Sequence, residues 1–121
     1  MTKPLLHIIS HTDLDGLAAA ALVWHANTDE QRLMKVSLTG YGEVDSLILE
    51  TFENHCEPLV LDLFCQREQT VDRIDKERDE ALPPFLFDHH KSNFERYGNR
   101  KWALIDTKYC GALVYWNYLM S

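Results

Sequence analysis

Leu5-Leu6-His7-Ile8-Ile9-Ser10-His11-Thr12-Asp13-Leu14-Asp15-Gly16 runs without a break into Leu17-Ala18-Ala19-Ala20-Ala21-Leu22-Val23-Trp24. Leu5–Ile9 is short, apolar and carries two adjacent isoleucines, as a strand buried on both faces does. Residues 17–24 are apolar nearly all round, which predicts a helix buried against a sheet. Between them lies a polar turn with a glycine, which lets the backbone reverse tightly and aims a helix N-terminus at whatever binds there. The unit is therefore strand, polar turn and helix, the first half of a βαβ crossover.

The same alternation continues along the chain. Val36–Leu38 reads as a second strand, and Gly40-Tyr41-Gly42 as a simple turn in preference to a lining of the cleft. Val44, Leu47, Ile48 and Phe52 mark one face of an amphipathic helix. Pro58 precedes a third strand, Leu59–Leu61. Residues 66–80 are dense in charge, with Val71 and Ile74 their only apolar side chains, and predict an exposed helix with intrahelical ion pairs. Pro83-Pro84 ends it before a fourth strand, Phe85–Phe87. A polar loop then leads to a fifth strand, Ala103–Ile105, and residues 112–120 form a last apolar run with Asn117 the exception. Strands alternating with helices imply an α/β fold, a three-layer sandwich with a mainly parallel sheet.

Composition bounds the function. The 121 residues fit one domain, and 45% hydrophobic residues can supply its core. Twelve Lys plus Arg against nineteen Asp plus Glu give a net charge of −7, so a global basic footprint for nucleic acid is absent and a polyanion must be held locally or through metal ions. No stretch approaches the ~20 apolar residues of a membrane span, and Met1-Thr2-Lys3-Pro4 is no signal peptide. Cys56, Cys65 and Cys110 are odd in number without metal-like spacing, and read as reduced thiols of a cytoplasmic protein.

In parallel sheets ligands gather beyond the carboxyl ends of the strands. The first strand runs into His11, Asp13 and Asp15; the third ends at Asp62, the fourth at Asp88-His89-His90 and the fifth at Asp106. For Asp106 a helix N-cap is the preferred reading. For the others, capping explains one residue per loop at most, and metal binding is the better account. Clustered carboxylates repel and take up protons unless cations compensate them. Two divalent ions ~3.5–4 Å apart would do so while clamping a phosphate and activating a water. Carboxylate oxygens suit Mg²⁺ or Mn²⁺, and imidazoles shift the choice towards Mn²⁺ or a later divalent metal. Cys110 reads as small core filler, His7 as a satisfied core residue, and His25 and His55 as structural. Phe94 and Tyr97 are expected to pack over their loop.

His11-x-Asp13-x-Asp15-Gly16, the lone Asp62 after a hydrophobic strand, and Asp88-His89-His90 resemble, in order and spacing, the first three motifs of the DHH phosphoesterase superfamily. The likeness runs from about residue 5 to the end, and Ser10-His11-Thr12-Asp13-Leu14-Asp15-Gly16 and Asp88-His89-His90-Lys91 are most similar to the branch that degrades short RNA oligomers. The resemblance implies that His11, Asp13 and Asp62 hold one Mn²⁺, and that Asp15, Asp62 and His89 hold a second with Asp62 bridging. It further implies that His90 contacts the scissile phosphate and that Asp88 orients a ligand histidine. Lys91 joins His90 as a candidate for the substrate's phosphates. The implied activity is hydrolysis of phosphodiester bonds in short oligonucleotides or a nucleotide messenger. Pyrophosphate or polyphosphate hydrolysis is the enzymatic alternative, and a metal- or nucleotide-binding module without turnover the other. The superfamily's fourth motif and second, glycine-rich domain have no counterpart: the chain ends 31 residues beyond His90, and Asp106 comes too early. The chain thus reads as the amino-terminal part of such an enzyme. Its last apolar run is expected to pack one face on the sheet and to leave Trp116 or Tyr115 for self-association or another contact.

Overall fold

A computed structural model describes residues 3–28, 32–78 and 81–121. The strands are β1 (Leu6–His11), β2 (Met34–Thr39), β3 (Glu57–Leu61), β4 (Leu86–Asp88) and β5 (Ala103–Ile105). The helices are α1 (Leu14–Ala26), α2 (Val44–Glu53), α3 (Glu68–Glu77), α4 (Lys91–Tyr97) and α5 (Gly111–Met120). Every strand pair is parallel and the order is β2-β1-β3-β4-β5. The α/β expectation therefore holds, in three layers.

Pleating sends alternate residues to opposite faces. Leu6, Ile8, Leu59, Leu61 and Phe87 meet Ala19, Ala20 and Val23 of α1 and Val114 and Tyr115 of α5 on one face. Ile9, Val60 and Leu86 meet Val44 and Ile48 of α2 and Val71 and Ile74 of α3 on the other. There the rings of Phe64, Phe85, Tyr97 and Trp102 pack together, Phe64 lying 5.2 Å from both Tyr97 and Trp102. Buried Asp45 of α2 accepts from Gln66 N (2.9 Å), Arg67 N (3.0 Å) and Thr70 Oγ1 (2.7 Å). It thereby ties the approach to α3 to a neighbouring helix and fixes the path of the chain after β3.

Several expectations change. Only one side of α1 is covered: Leu14 is 79% exposed and Leu17 and Trp24 are also exposed, because sheet and α5 together reach half of its circumference. The expected polar loop after β4 contains α4; only Asn93 and Tyr97, four residues apart, turn inward, so its composition hides the helix. Tyr97 is buried but Phe94 is half exposed. The charged helix is α3, where Arg73 pairs with Glu77 (3.0 Å); its expected last residues, 79–80, lie outside the described residues. Asp106 does not cap α5. Its carboxylate accepts from Lys108 N two residues on (3.0 Å), and Cys110 is the N-cap, exposed rather than in the core. Cys65 is the thiol that fills the core. In α5, Val114 and Tyr115 are buried, while Trp116 is 44% exposed.

His7 is buried as expected, its Nε2 bonded to Ser37 Oγ at 2.8 Å. Burial, with Lys35 nearby, lowers its pKa below the usual 6.5. The folded state thus binds fewer protons than the unfolded one in that window, so stability rises with pH and is lost as pH falls through about 6.5. His7→Gln is expected to flatten the fall in melting temperature between pH 7 and pH 5, read by calorimetry; an unchanged slope would refute this account.

Candidate metal centre

The strand order reverses between β1 and β3, since β1 leads outward to β2 and the chain returns through α2 to β3. Such a switch point leaves a crevice at the carboxyl ends. His11 ends β1 and Asp13 follows it, Asp62 follows β3, and Asp88 ends β4 with His89 and His90 just after it. Ligand atoms of His11, Asp13 and Asp62 lie within 4.8 Å of one another, as do those of Asp62, Asp88, His89 and His90. Asp62 belongs to both groups.

Three interactions place these side chains. Asp13 N-caps α1, accepting from Gly16 N at 2.8 Å, and its other oxygen lies 2.8 Å from His11 Nδ1. Gly16 is required there: a Cβ would lie 2.6 Å from the His11 carbonyl carbon and 2.7 Å from its nitrogen, and closer still to its oxygen. Ser10 Oγ donates to Gly16 O (2.7 Å) and also contacts Leu61 O (3.2 Å), tying the end of β1 to the start of α1 and the end of β3.

Asp62 adopts φ 67°, in the left-handed region, where a side-chain carboxylate can be turned off the sheet's regular pleat. The first residue of α5, Gly111, presses on it; a Cβ there would stand 3.3 Å from Asp62 Cβ and 3.4 Å from its nitrogen. Asp62 is 3% exposed and its Oδ1 lies 2.8 Å from His89 Nε2. Burial raises its pKa, the His89 hydrogen bond opposes that, and Asp13 and Asp88 raise it further. Asp13 goes the other way: its bond from Gly16 N, then His11, lowers its pKa.

Asp88 is fully buried with both oxygens engaged, Oδ1 by His90 Nδ1 (2.8 Å) and Oδ2 by Asn93 Nδ2 (2.5 Å). The histidine that Asp88 orients is thus His90, whose Nε2 this bond leaves unused. Two candidates stand apart. Asp15 is exposed on the first turn of α1, outside both groups, because the capping position beside His11 belongs to Asp13. Lys91 is 83% exposed and lies 3.9 Å from Glu95, one helical turn along α4, rather than over the crevice.

For Gly40-Tyr41-Gly42, where the sequence favours a simple turn over a cleft-lining role, the structure brings Tyr41 to the ligand groups. Its ring lies 5.6 Å from that of His11 at 51°. Burial raises the phenol's pKa, and Asp88, Asp62 and Asp13 add to the rise, so carboxylates from all three strand ends act on one hydroxyl. Sequence reading missed Asn93 and Gly111. Asn93 had a faint signal, three residues after the triplet on an inward helical face; Gly111 had none.

The donor set fits a hard or borderline divalent cation: carboxylates and imidazoles converge, and burial together with the neighbouring carboxylates already raises the pKa of Asp62. Two outcomes follow. Asp62→Asn removes that charge while keeping a residue that tolerates positive φ, so the metal-free protein should melt a few degrees higher at neutral pH but lose its stabilisation by Mn²⁺; Asp62→Ala should instead lose about 1–2 kcal/mol through the left-handed backbone. Gly16→Ala should cost about 1–3 kcal/mol by overpacking and weaken Mn²⁺ binding, since His11 and Asp13 must shift. Thermal melts with and without Mn²⁺ check both; wild-type stability in Gly16→Ala would contradict the geometry.

No protein-family model and no curated protein matches the chain. Among solved structures it is similar to the crystal structure of an uncharacterized protein from Helicobacter pylori G27, with a TM-score of 0.64 and 25% sequence identity. The likeness covers 96% of this chain and 36% of that one, so this chain spans about a third of its neighbour's length. It bears out the α/β fold.

Proposed function

We propose that this chain is a metal-dependent phosphoesterase domain of the DHH superfamily, hydrolysing phosphodiester bonds in short oligonucleotides or a nucleotide messenger with two Mn²⁺ ions. One observation carries the reading: side chains from the ends of β1, β3 and β4 converge on two groups of candidate ligands that share Asp62. His11, Asp13 and Asp62 would hold one ion; Asp62 and His89, beside Asp88 and His90, would hold the other. When bound, the ions supply charge neutralisation at the phosphoryl oxygens and activation of water.

The remaining work falls to the chain's own groups. Asp88 accepts from His90 Nδ1 and so fixes the imidazole's tilt, leaving Nε2, when it too carries a proton, to donate to a phosphoryl or leaving oxygen. Asn93 holds the second Asp88 oxygen, so the carboxylate cannot swing away from His90 without abandoning a buried hydrogen bond. Ser10 and Gly111 keep Asp62 seated between the two groups. Asp15 and Lys91 have no such support in the structure.

The test pairs metal content with a substrate panel: a short oligoribonucleotide, a cyclic dinucleotide and pyrophosphate, each with Mn²⁺. Phosphodiester cleavage without pyrophosphate cleavage is expected, and Asp62→Asn should lower it at least about 100-fold with reduced bound Mn²⁺ by mass spectrometry. Wild-type protein that binds no Mn²⁺ would sink the reading; bound Mn²⁺ without turnover on any of the three would favour a binding module, and cleavage of pyrophosphate alone the anhydride hydrolase.

A further inference from the structure

Apart from His90 Nε2, the described side chains at the mouth of the centre offer few hydrogen-bond donors. Asp13 spends its oxygens on Gly16 N and His11, Asp88 spends its own on His90 and Asn93, and Asp62 engages His89. These groups serve cations or one another, whereas a phosphoryl group presents only acceptor oxygens. Lys91, the cation that follows the triplet in sequence, lies with Glu95 on the exposed flank of α4.

Tyr41 stands where a donor is wanted. It belongs to the turn between β2 and α2, at the same carboxyl edge as the ligands, and its ring packs 5.6 Å from that of His11. It is 40% exposed, so the ring borders the crevice and remains open to an incoming molecule. A phenol offers one O–H and no positive charge, so it can donate to a phosphoryl oxygen without competing with a cation for the carboxylates.

We propose that Tyr41 contacts the substrate, its hydroxyl donating to a non-bridging phosphoryl oxygen while its ring packs against His11. The proposal rests on the metal-dependent phosphoesterase reading and adds a residue to it. A donor aimed at a charged oxygen is worth about tenfold or more in affinity.

The experiment uses Mn²⁺ alone and then inorganic phosphate on the Mn²⁺-loaded protein, both followed by calorimetry, in wild type, Tyr41→Phe and Tyr41→Ala. Tyr41→Phe, which keeps the ring, should bind Mn²⁺ as wild type does and bind phosphate about tenfold more weakly. Tyr41→Ala should weaken Mn²⁺ binding as well, and the phenylalanine variant should rescue that part. Wild-type phosphate affinity in Tyr41→Phe would overturn the proposal while leaving the metal reading intact. Equal weakening of Mn²⁺ and phosphate in Tyr41→Phe would also overturn it, leaving only a structural ring. Wild-type protein that binds no Mn²⁺ would remove the metal reading and the proposal together.

Discussion

The carboxylate of Asp62 is held, nearly without exposure, on a left-handed backbone between the ends of β1 and β4. Its position depends on elements far apart in sequence. Ser10 ties the end of β1 to the end of β3; Asp45 of α2 fixes the chain that leaves the site; and Gly111, the first residue of α5, packs close against it. A buried carboxylate beside two others is costly unless opposite charge or donors compensate it. The fold nevertheless spends three strand ends on creating that situation. A centre that stores unfavourable charge in the absence of a cation gains the difference when one binds, which couples metal affinity to stability through the same side chain.

The three carboxylates are not equivalent, and their surroundings set them apart. Asp13 accepts a backbone N–H at the start of a helix, which favours its charged form. Asp62 is buried with one imidazole for company, which disfavours it. Asp88 is locked between an imidazole and an amide and has no oxygen to spare. A capping carboxylate, a shared carboxylate and an orienting carboxylate thus arise from one residue type. The two neighbouring histidines of the triplet divide likewise, His89 turning to Asp62 and His90 to Asp88, although their rings lie 4.4 Å apart.

Much of this was legible along the chain. The alternation of apolar runs with helical patterns predicts the α/β sheet because a parallel strand must be apolar on both faces, and His11, Asp13, Asp62 and the Asp88-His89-His90 triplet declare themselves by lying just past those runs. Local chemistry sufficed for these, since each ends its own strand or follows it by one or two residues. Other features have no local signature. The strand order that opens a crevice between β1 and β3 is a property of crossovers, and so is the placing of Tyr41 against His11 across two strands. Asp15 and Asp13 are chemically alike, exposed and two residues apart; only the start of α1, which gives the capping position to Asp13, brings one of them to His11 and Asp62 and leaves the other outside the cluster. Cys65 and Cys110 are equally small and apolar, yet a buried loop takes the first and an exposed helix cap the second. Sequence determined which groups stand at strand ends, because pattern and chemistry are local; tertiary structure decided which of them meet, because that depends on the packing of elements dozens of residues apart.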